Sequence, residues 1–79
     1  MARILRFLEG DRDVQGPKSE VDGYVQQVVG EDGTLYLYLY NYAQGGPHPD
    51  SSPTQSLHFD AESAAKFIEL LQQTFGTQD

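Results

Sequence analysis

The chain has 79 residues, with twelve acidic against five basic residues and a formal net charge of −7. Such a charge repels phosphate-rich partners on average, and the lack of cysteine excludes a disulfide framework and a thiolate metal site. A domain of roughly 60 residues buries only about 60% of its unfolded surface, so a single domain (residues 1–79) of this size has a thin core. Oligomerisation is a common way to extend such a core.

The first segment, residues 3–8, predicts a first strand in which Arg3, Leu5 and Phe7 share one face and Ile4, Arg6 and Leu8 the other, so both faces are partly apolar. Its apolar run is too short for a signal peptide, and no stretch approaches the length of a membrane span. We therefore expect a cytoplasmic protein with no membrane partner. Residues 10–18 contain Gly16 and Pro17 among charged residues and predict a flexible loop.

Two further strands are predicted over residues 19–29 and 35–42. Asp32-Gly33 lies between them, and Asp-Gly between two alternating runs is the strongest short-range signal of a β-hairpin. Gly23 is a candidate position for a bulge in the earlier strand. These two strands are therefore expected to be antiparallel neighbours.

The segment Leu35 to Tyr42 reads Leu-Tyr-Leu-Tyr-Leu-Tyr-Asn-Tyr, which is strict alternation. Because successive side chains of a strand point to opposite faces, the leucines share one face and the tyrosines share the other. The strand therefore predicts one aliphatic and one aromatic face of the same sheet.

Residues 43–54 hold two glycines and three prolines and predict a second flexible loop, followed by a short strand over residues 54–59. Asp60 is a good helix N-cap and Gly76 a good helix stop, and we expect a frayed tail over residues 77–79. The helix between them carries an apolar stripe at helical spacing, formed by Ala64, Phe67, Ile68, Leu71 and Phe75.

The predicted fold class is α+β, in the order β-β-β-β-α. The four strands are expected to form an antiparallel meander, and the C-terminal helix is expected to pack its apolar stripe on the leucine face. This arrangement leaves the tyrosine face on the far side of the sheet.

The tyrosine face is the candidate binding site, formed by Tyr36, Tyr38, Tyr40 and Tyr42 with Tyr24 from the adjacent strand. Three interpretations fit it. Tyrosine has a high strand propensity, so the rings can simply stabilise the sheet. Tyrosine is also favoured in interfaces, which predicts self-association as a homodimer. Finally, aromatic rings can stack on nucleic-acid bases, and Arg3 or Arg6 on the same face would then supply positive charge.

The second half of the chain, in the order strand, Gly/Pro-bearing loop, short strand, Asp cap and amphipathic helix, resembles the positive cofactor four family of transcriptional coactivators. These parts are Leu35–Tyr42, Gly45–Pro53, Leu57–Phe59 and Asp60–Phe75. The resemblance implies a dimer that holds single-stranded DNA on curved sheets, with Tyr40 and Tyr42 as the matching aromatic positions. The family pattern also implies basic residues in the long loop, whereas this loop carries Asp50 and no basic residue.

The other candidate groups of functional residues give weaker signals. His48, Asp50 and His58 could approach one another as metal ligands, but their spacing is not diagnostic, and we predict neither a metal nor a cofactor. No paired carboxylates, phosphate-binding glycine loop or nucleophile elbow is recognisable, so we do not expect an enzyme.

The sequence therefore predicts a small non-enzymatic binding or regulatory domain that acts through its tyrosine face, as a homodimer or with another protein. The alternative is a single-stranded nucleic-acid-binding protein similar to the coactivator family. A third hypothesis is an acidic mimic of nucleic acid, which would present its carboxylates to a basic groove.

Overall fold

The computed structural model describes residues 2–76 as one four-stranded sheet followed by one helix. The elements are β1 (Ala2–Arg3), β2 (Tyr24–Val29), β3 (Leu35–Asn41), β4 (Gln55–Phe59) and α1 (Ala61–Phe75). The α+β class is therefore as predicted. The predicted frayed tail, residues 77–79, lies outside the described residues.

The predicted antiparallel meander is wrong, because the sheet is mixed and its strand order is β1-β4-β3-β2. Strands β2, β3 and β4 are antiparallel neighbours in sequence order. Strand β1 instead lies beside β4 and runs parallel to it, with Arg3 opposite His58. The first strand is thus an edge strand of two residues, much shorter than the predicted span of residues 3–8.

A cluster of three phenylalanine rings accounts for the position of the first segment. Phe7 follows β1 and stacks on Phe67 of the helix, with ring centroids 5.5 Å apart and planes 7° apart. Phe67 in turn stacks on Phe59 of β4 at 5.2 Å. These separations are typical of favourable aromatic pairs. Phe7 reaches both rings because β1, just before it, pairs with β4. In an antiparallel meander the first strand would pair with β2 instead, away from Phe59 and the helix.

The hairpin between β2 and β3 is confirmed. Gly33 has a φ of +86°, a left-handed conformation that glycine adopts without a steric penalty. The amide of Gly30 donates to the Thr34 carbonyl at 2.8 Å, and the amide of Thr34 donates to Asp32 Oδ1 at 3.0 Å. The observed β2 begins at Tyr24, later than the predicted strand over residues 19–29. Gly23, the candidate bulge position, therefore lies immediately before the strand and not within it.

Both predicted ends of the helix are confirmed. Asp60 is the N-cap of a capping box: the Ser63 amide donates to Asp60 Oδ1 at 2.9 Å, and the Asp60 amide donates to Ser63 Oγ at 3.1 Å. Gly76 closes the helix in the left-handed conformation, with a φ of 57°, and its amide donates to the Gln72 carbonyl.

The helix does not cover the leucine face as predicted. It contacts the sheet through β4 and buries Ser63 and part of Phe67, whereas Phe75, in the predicted stripe, is 71% exposed. Asp60 is the single residue between β4 and α1, so the start of the helix stays at the end of β4. The predicted stripe is therefore buried only near its beginning.

The two long connections, residues 4–23 and residues 42–54, contain neither helix nor strand. They include the predicted loops 10–18 and 43–54, whose flexibility stays a prediction. Together with the partial helix packing, they leave the described residues with a very small core. Among residues 2–76, Phe59 is the one large apolar side chain that is buried, with 5% of its surface exposed.

The capping box makes folding sensitive to acid. The hydrogen bonds from Ser63 hold the pKa of Asp60 below its ordinary value, so the native state favours the charged carboxylate. That contribution is present above the pKa of the unfolded chain and is lost as the pH falls through the lower folded pKa. We expect Asp60→Asn, which keeps an N-capping side chain, to flatten the fall in melting temperature below about pH 4.

Glu62→Gln is the control for this prediction, because it removes a neighbouring helix charge outside the capping box. Thermal unfolding followed by circular dichroism at several pH values measures the effect. Equal acid sensitivity of Asp60→Asn and wild type would contradict the role given to the Asp60 carboxylate.

Candidate aromatic binding face

The strand register collects the predicted tyrosines on one face of the sheet. Tyr24 of β2 lies directly opposite Tyr40 of β3, and Gln26 lies opposite Tyr38. On the other side of β3, Tyr38 lies opposite His58 of β4. Residues that are paired across strands share a face, so three strands contribute to one surface.

The tyrosine rings of this surface contact one another in a continuous series. Tyr24 stacks on Tyr40 with centroids 5.2 Å apart and planes 16° apart, and Tyr40 stacks on Tyr38 at 4.9 Å and 25°. Tyr42, just beyond the end of β3, meets Tyr24 and Tyr40 edge-on at 5.5 and 5.8 Å. All these contacts are favourable aromatic geometries.

His58 extends the series to the remaining tyrosine. Its ring lies 4.6 Å from that of Tyr38 and 5.7 Å from that of Tyr36, which it meets edge-on. Tyr36 also packs close to Gly30, where a Cβ atom would come within 3.0 Å of its ring. We call the six rings the aromatic array: Tyr24, Tyr36, Tyr38, Tyr40, Tyr42 and His58.

The aromatic array is half open to solvent. Tyr24 is 36% exposed, and the other five members are half-buried. The Tyr40 hydroxyl donates to Gln26 Oε1 at 3.4 Å, so part of the polar rim is held within the sheet. The surface offers ring faces and hydroxyl groups on three paired strands, which suits the binding of a partner on the surface of the sheet.

The two ends of the array differ in charge. At the β1 end, Arg3 lies opposite His58 in the register, but its Nη1 is 3.8 Å from Asp60 Oδ2. At the other end, a shallow depression of about 280 Å³ brings Glu20 and Asp22 beside Tyr24 and Tyr42. The array therefore runs from a partly neutralised cation to a pair of acidic residues.

The opposite face of the same strands is aliphatic and largely exposed. Val25, Val29 and Leu35 are 63%, 66% and 57% exposed. We call this surface the aliphatic face. Across β2, β3 and β4 it comprises Val25, Gln27, Val29, Leu35, Leu37, Leu39, Leu57 and Phe59, with Asn41 and Gln55 as a polar pair at one end.

The metal ligands considered from the sequence do not form a site. Among residues 2–76 there is no group of three or more histidine, cysteine, aspartate or glutamate side chains placed to hold a metal ion. His58 belongs to the aromatic array, whereas the His48 amide donates to Ser51 Oγ within the long loop. Arg6 is exposed in the first connection, outside any strand.

Comparisons with models of protein families, with curated proteins and with solved structures find no match to this chain. Within the described part of the chain, no helix combines the length and apolar character that crossing a membrane requires. The site must therefore be interpreted from its own geometry.

Sequence reasoning missed His58 as a member of the array and Glu20 and Asp22 as its neighbours. The alternation of residues 54–59 puts Ser56 and His58 on one face of their strand. It does not determine whether that face lies beside the tyrosines or beside the leucines of β3. That register depends on the path of residues 42–54, for which the sequence gives no periodic signal.

The stacked rings should be energetically coupled. In a double-mutant cycle of Tyr24→Leu and Tyr40→Leu, we expect a coupling of about 0.5–1.5 kcal/mol in the free energy of unfolding, because the two rings stack directly. Chemical denaturation of the four proteins measures this coupling.

The Tyr24→Leu and Tyr36→Leu pair is the control for the cycle. Tyr36 contacts His58 at the far end of the array, so its effect should add to that of Tyr24 to within about 0.5 kcal/mol. No coupling between Tyr24 and Tyr40 would contradict the stacked arrangement.

Proposed function

We propose that this chain is a non-enzymatic binding domain whose aromatic array engages a partner protein that presents arginine or lysine side chains. The observation that carries the proposal is the continuous series of half-open rings with two acidic residues at one end.

The aromatic rings and the charge of the chain favour a cationic partner. The faces of tyrosine rings attract guanidinium and ammonium groups by about 0.5–1 kcal/mol each at exposed sites. Glu20 and Asp22 lie beside Tyr24 and Tyr42, where they can pair with the same groups. The net charge of −7 also steers basic partners toward the protein.

A binding role suits the open form of the array better than catalysis. Acid–base chemistry depends on groups whose pKa is shifted in a cleft or an apolar site. Among residues 2–76, the pKa is lowered for the carboxyl groups of Asp32 and Asp60, and in both the main cause is hydrogen bonds, from Thr34 and Ser63 respectively. Both shifts thus have a local structural cause, in a turn and a helix cap.

Single-stranded nucleic acid is the second candidate ligand. The observation in its favour is the uninterrupted row Tyr24, Tyr40, Tyr38 and His58, since each stacked base contributes about 1–3 kcal/mol on such platforms. It ranks second because phosphate binding needs cations. Arg3, the basic residue that the register places here, lies close to Asp60.

Fluorescence anisotropy with a labelled Arg-Gly repeat peptide tests the proposal. We expect wild type to bind this peptide and not a Glu-Gly repeat of equal length. Tyr38→Ser/Tyr40→Ser should weaken binding about 5- to 30-fold, as the loss of two cation–π contacts implies. Circular dichroism checks that the variant stays folded.

The acidic end has a charge-matched control. Glu20→Gln/Asp22→Asn should weaken peptide binding, whereas Glu62→Gln/Glu69→Gln, which removes two charges from the helix, should change it much less. Equal effects of the two pairs would reduce the interaction to net charge alone and contradict the site. Salt-sensitive binding of labelled oligothymidylate, lost in Tyr38→Ser/Tyr40→Ser and without peptide binding, would support the nucleic-acid candidate instead.

A further inference from the structure

The aliphatic face and the adjoining helix expose apolar side chains on the same side of the sheet. Phe67 packs on Phe59, which shares the aliphatic side of the sheet, so the helix lies on that side. Beyond Phe67, the helix exposes more apolar side chains. The large apolar residues that are more than a third exposed on these elements are Val25, Val29, Leu35, Leu37, Leu57, Ile68, Leu71 and Phe75.

The size of this surface matches one half of a stable protein interface. At about 100–200 Å² for each whole side chain, the exposed fractions amount to roughly 400–900 Å² of apolar area. A standard interface buries about 800 Å² on each partner, of which about 56–65% is non-polar. The apolar contribution that such an interface requires is therefore already present on one chain.

We propose that the aliphatic face is covered by the aliphatic face of a second copy of this chain, in a two-fold symmetric homodimer. The part of this face in β2, β3 and β4 carries no charged residue, so two chains of net charge −7 can meet there without bringing charged strand residues into contact. In a two-fold symmetric interface the same patch of both copies is in contact, so the patch must be compatible with itself. An uncharged aliphatic patch meets this requirement because it brings no like charges together.

The small core favours a second copy over a foreign protein. Phe59 is the one large apolar side chain that is buried among residues 2–76, so the folded chain gains stability whenever its aliphatic face is covered. A second copy is present whenever the chain is made. The dimer would thus complete the core, and its stability would depend on protein concentration.

This interface lies on the side of the sheet opposite the aromatic array. Self-association is thereby assigned to the leucines and valines, in place of the tyrosines expected from the sequence. The inference does not rest on the proposed ligand of the array, and either one can fail while the other stands.

Two adjacent glutamines of β2 provide a matched test. Gln27 lies opposite Leu37 in the middle of the aliphatic face, and Gln26 lies opposite Tyr38 on the tyrosine face. Both side chains are exposed, so arginine can be placed at either position without removing a core residue. Gln26→Arg also removes the acceptor of the Tyr40 hydroxyl, but that hydrogen bond lies on the tyrosine face and not on the aliphatic face. By sedimentation equilibrium, Gln27→Arg should weaken dimerisation at least 10-fold, whereas Gln26→Arg should leave the dimer as in wild type.

Thermal unfolding of wild type over a 100-fold range of concentration guards against a variant that fails to fold. The melting temperature should rise with concentration, since dissociation accompanies unfolding. A folded wild-type monomer with a concentration-independent melting temperature would overturn the inference. So would a dimer that survives Gln27→Arg, or one that is lost only in Gln26→Arg, which would assign the interface to the tyrosine face.

Discussion

The alternation of leucine and tyrosine along β3 is the constraint on which both surfaces of this protein depend. Strand β3 is paired on both sides, with β2 and with β4, so its register fixes the side chains of three strands at once. A shift of one residue would exchange the two faces. The sheet therefore has one aromatic side, whose rings contact one another, and one aliphatic side that the chain covers only in part.

The three stacked phenylalanines join the remaining parts to this sheet. Phe59 ends β4, Phe67 belongs to the helix and Phe7 to the first segment, and their contacts bring the start of the chain onto the β4–helix unit. This cluster is small, since most of the helix beyond Phe67 is exposed. It positions the helix on the aliphatic side of the sheet.

The local parts of this structure could be predicted from the sequence. Asp32-Gly33 indicates the hairpin, and Asp60 and Gly76 indicate the helix ends, because each signal acts within a few residues. The position of β1 could not be predicted, since a strand of two residues has no period, and its place depends on the contacts of Phe7. His58 was missed for a similar reason: its register against Tyr38 follows a long loop without periodic pattern.

Two faces of one sheet thus have different roles in this account: the aliphatic face binds a second copy, and the aromatic array stays open. Solvent paramagnetic relaxation of the wild-type protein, followed by nuclear magnetic resonance, tests this division most directly. The account predicts that a soluble paramagnetic agent broadens the tyrosine ring signals and spares the methyl signals of Val25, Leu35 and Leu37. Strong broadening of those methyl signals at high protein concentration would show an uncovered aliphatic face and contradict it.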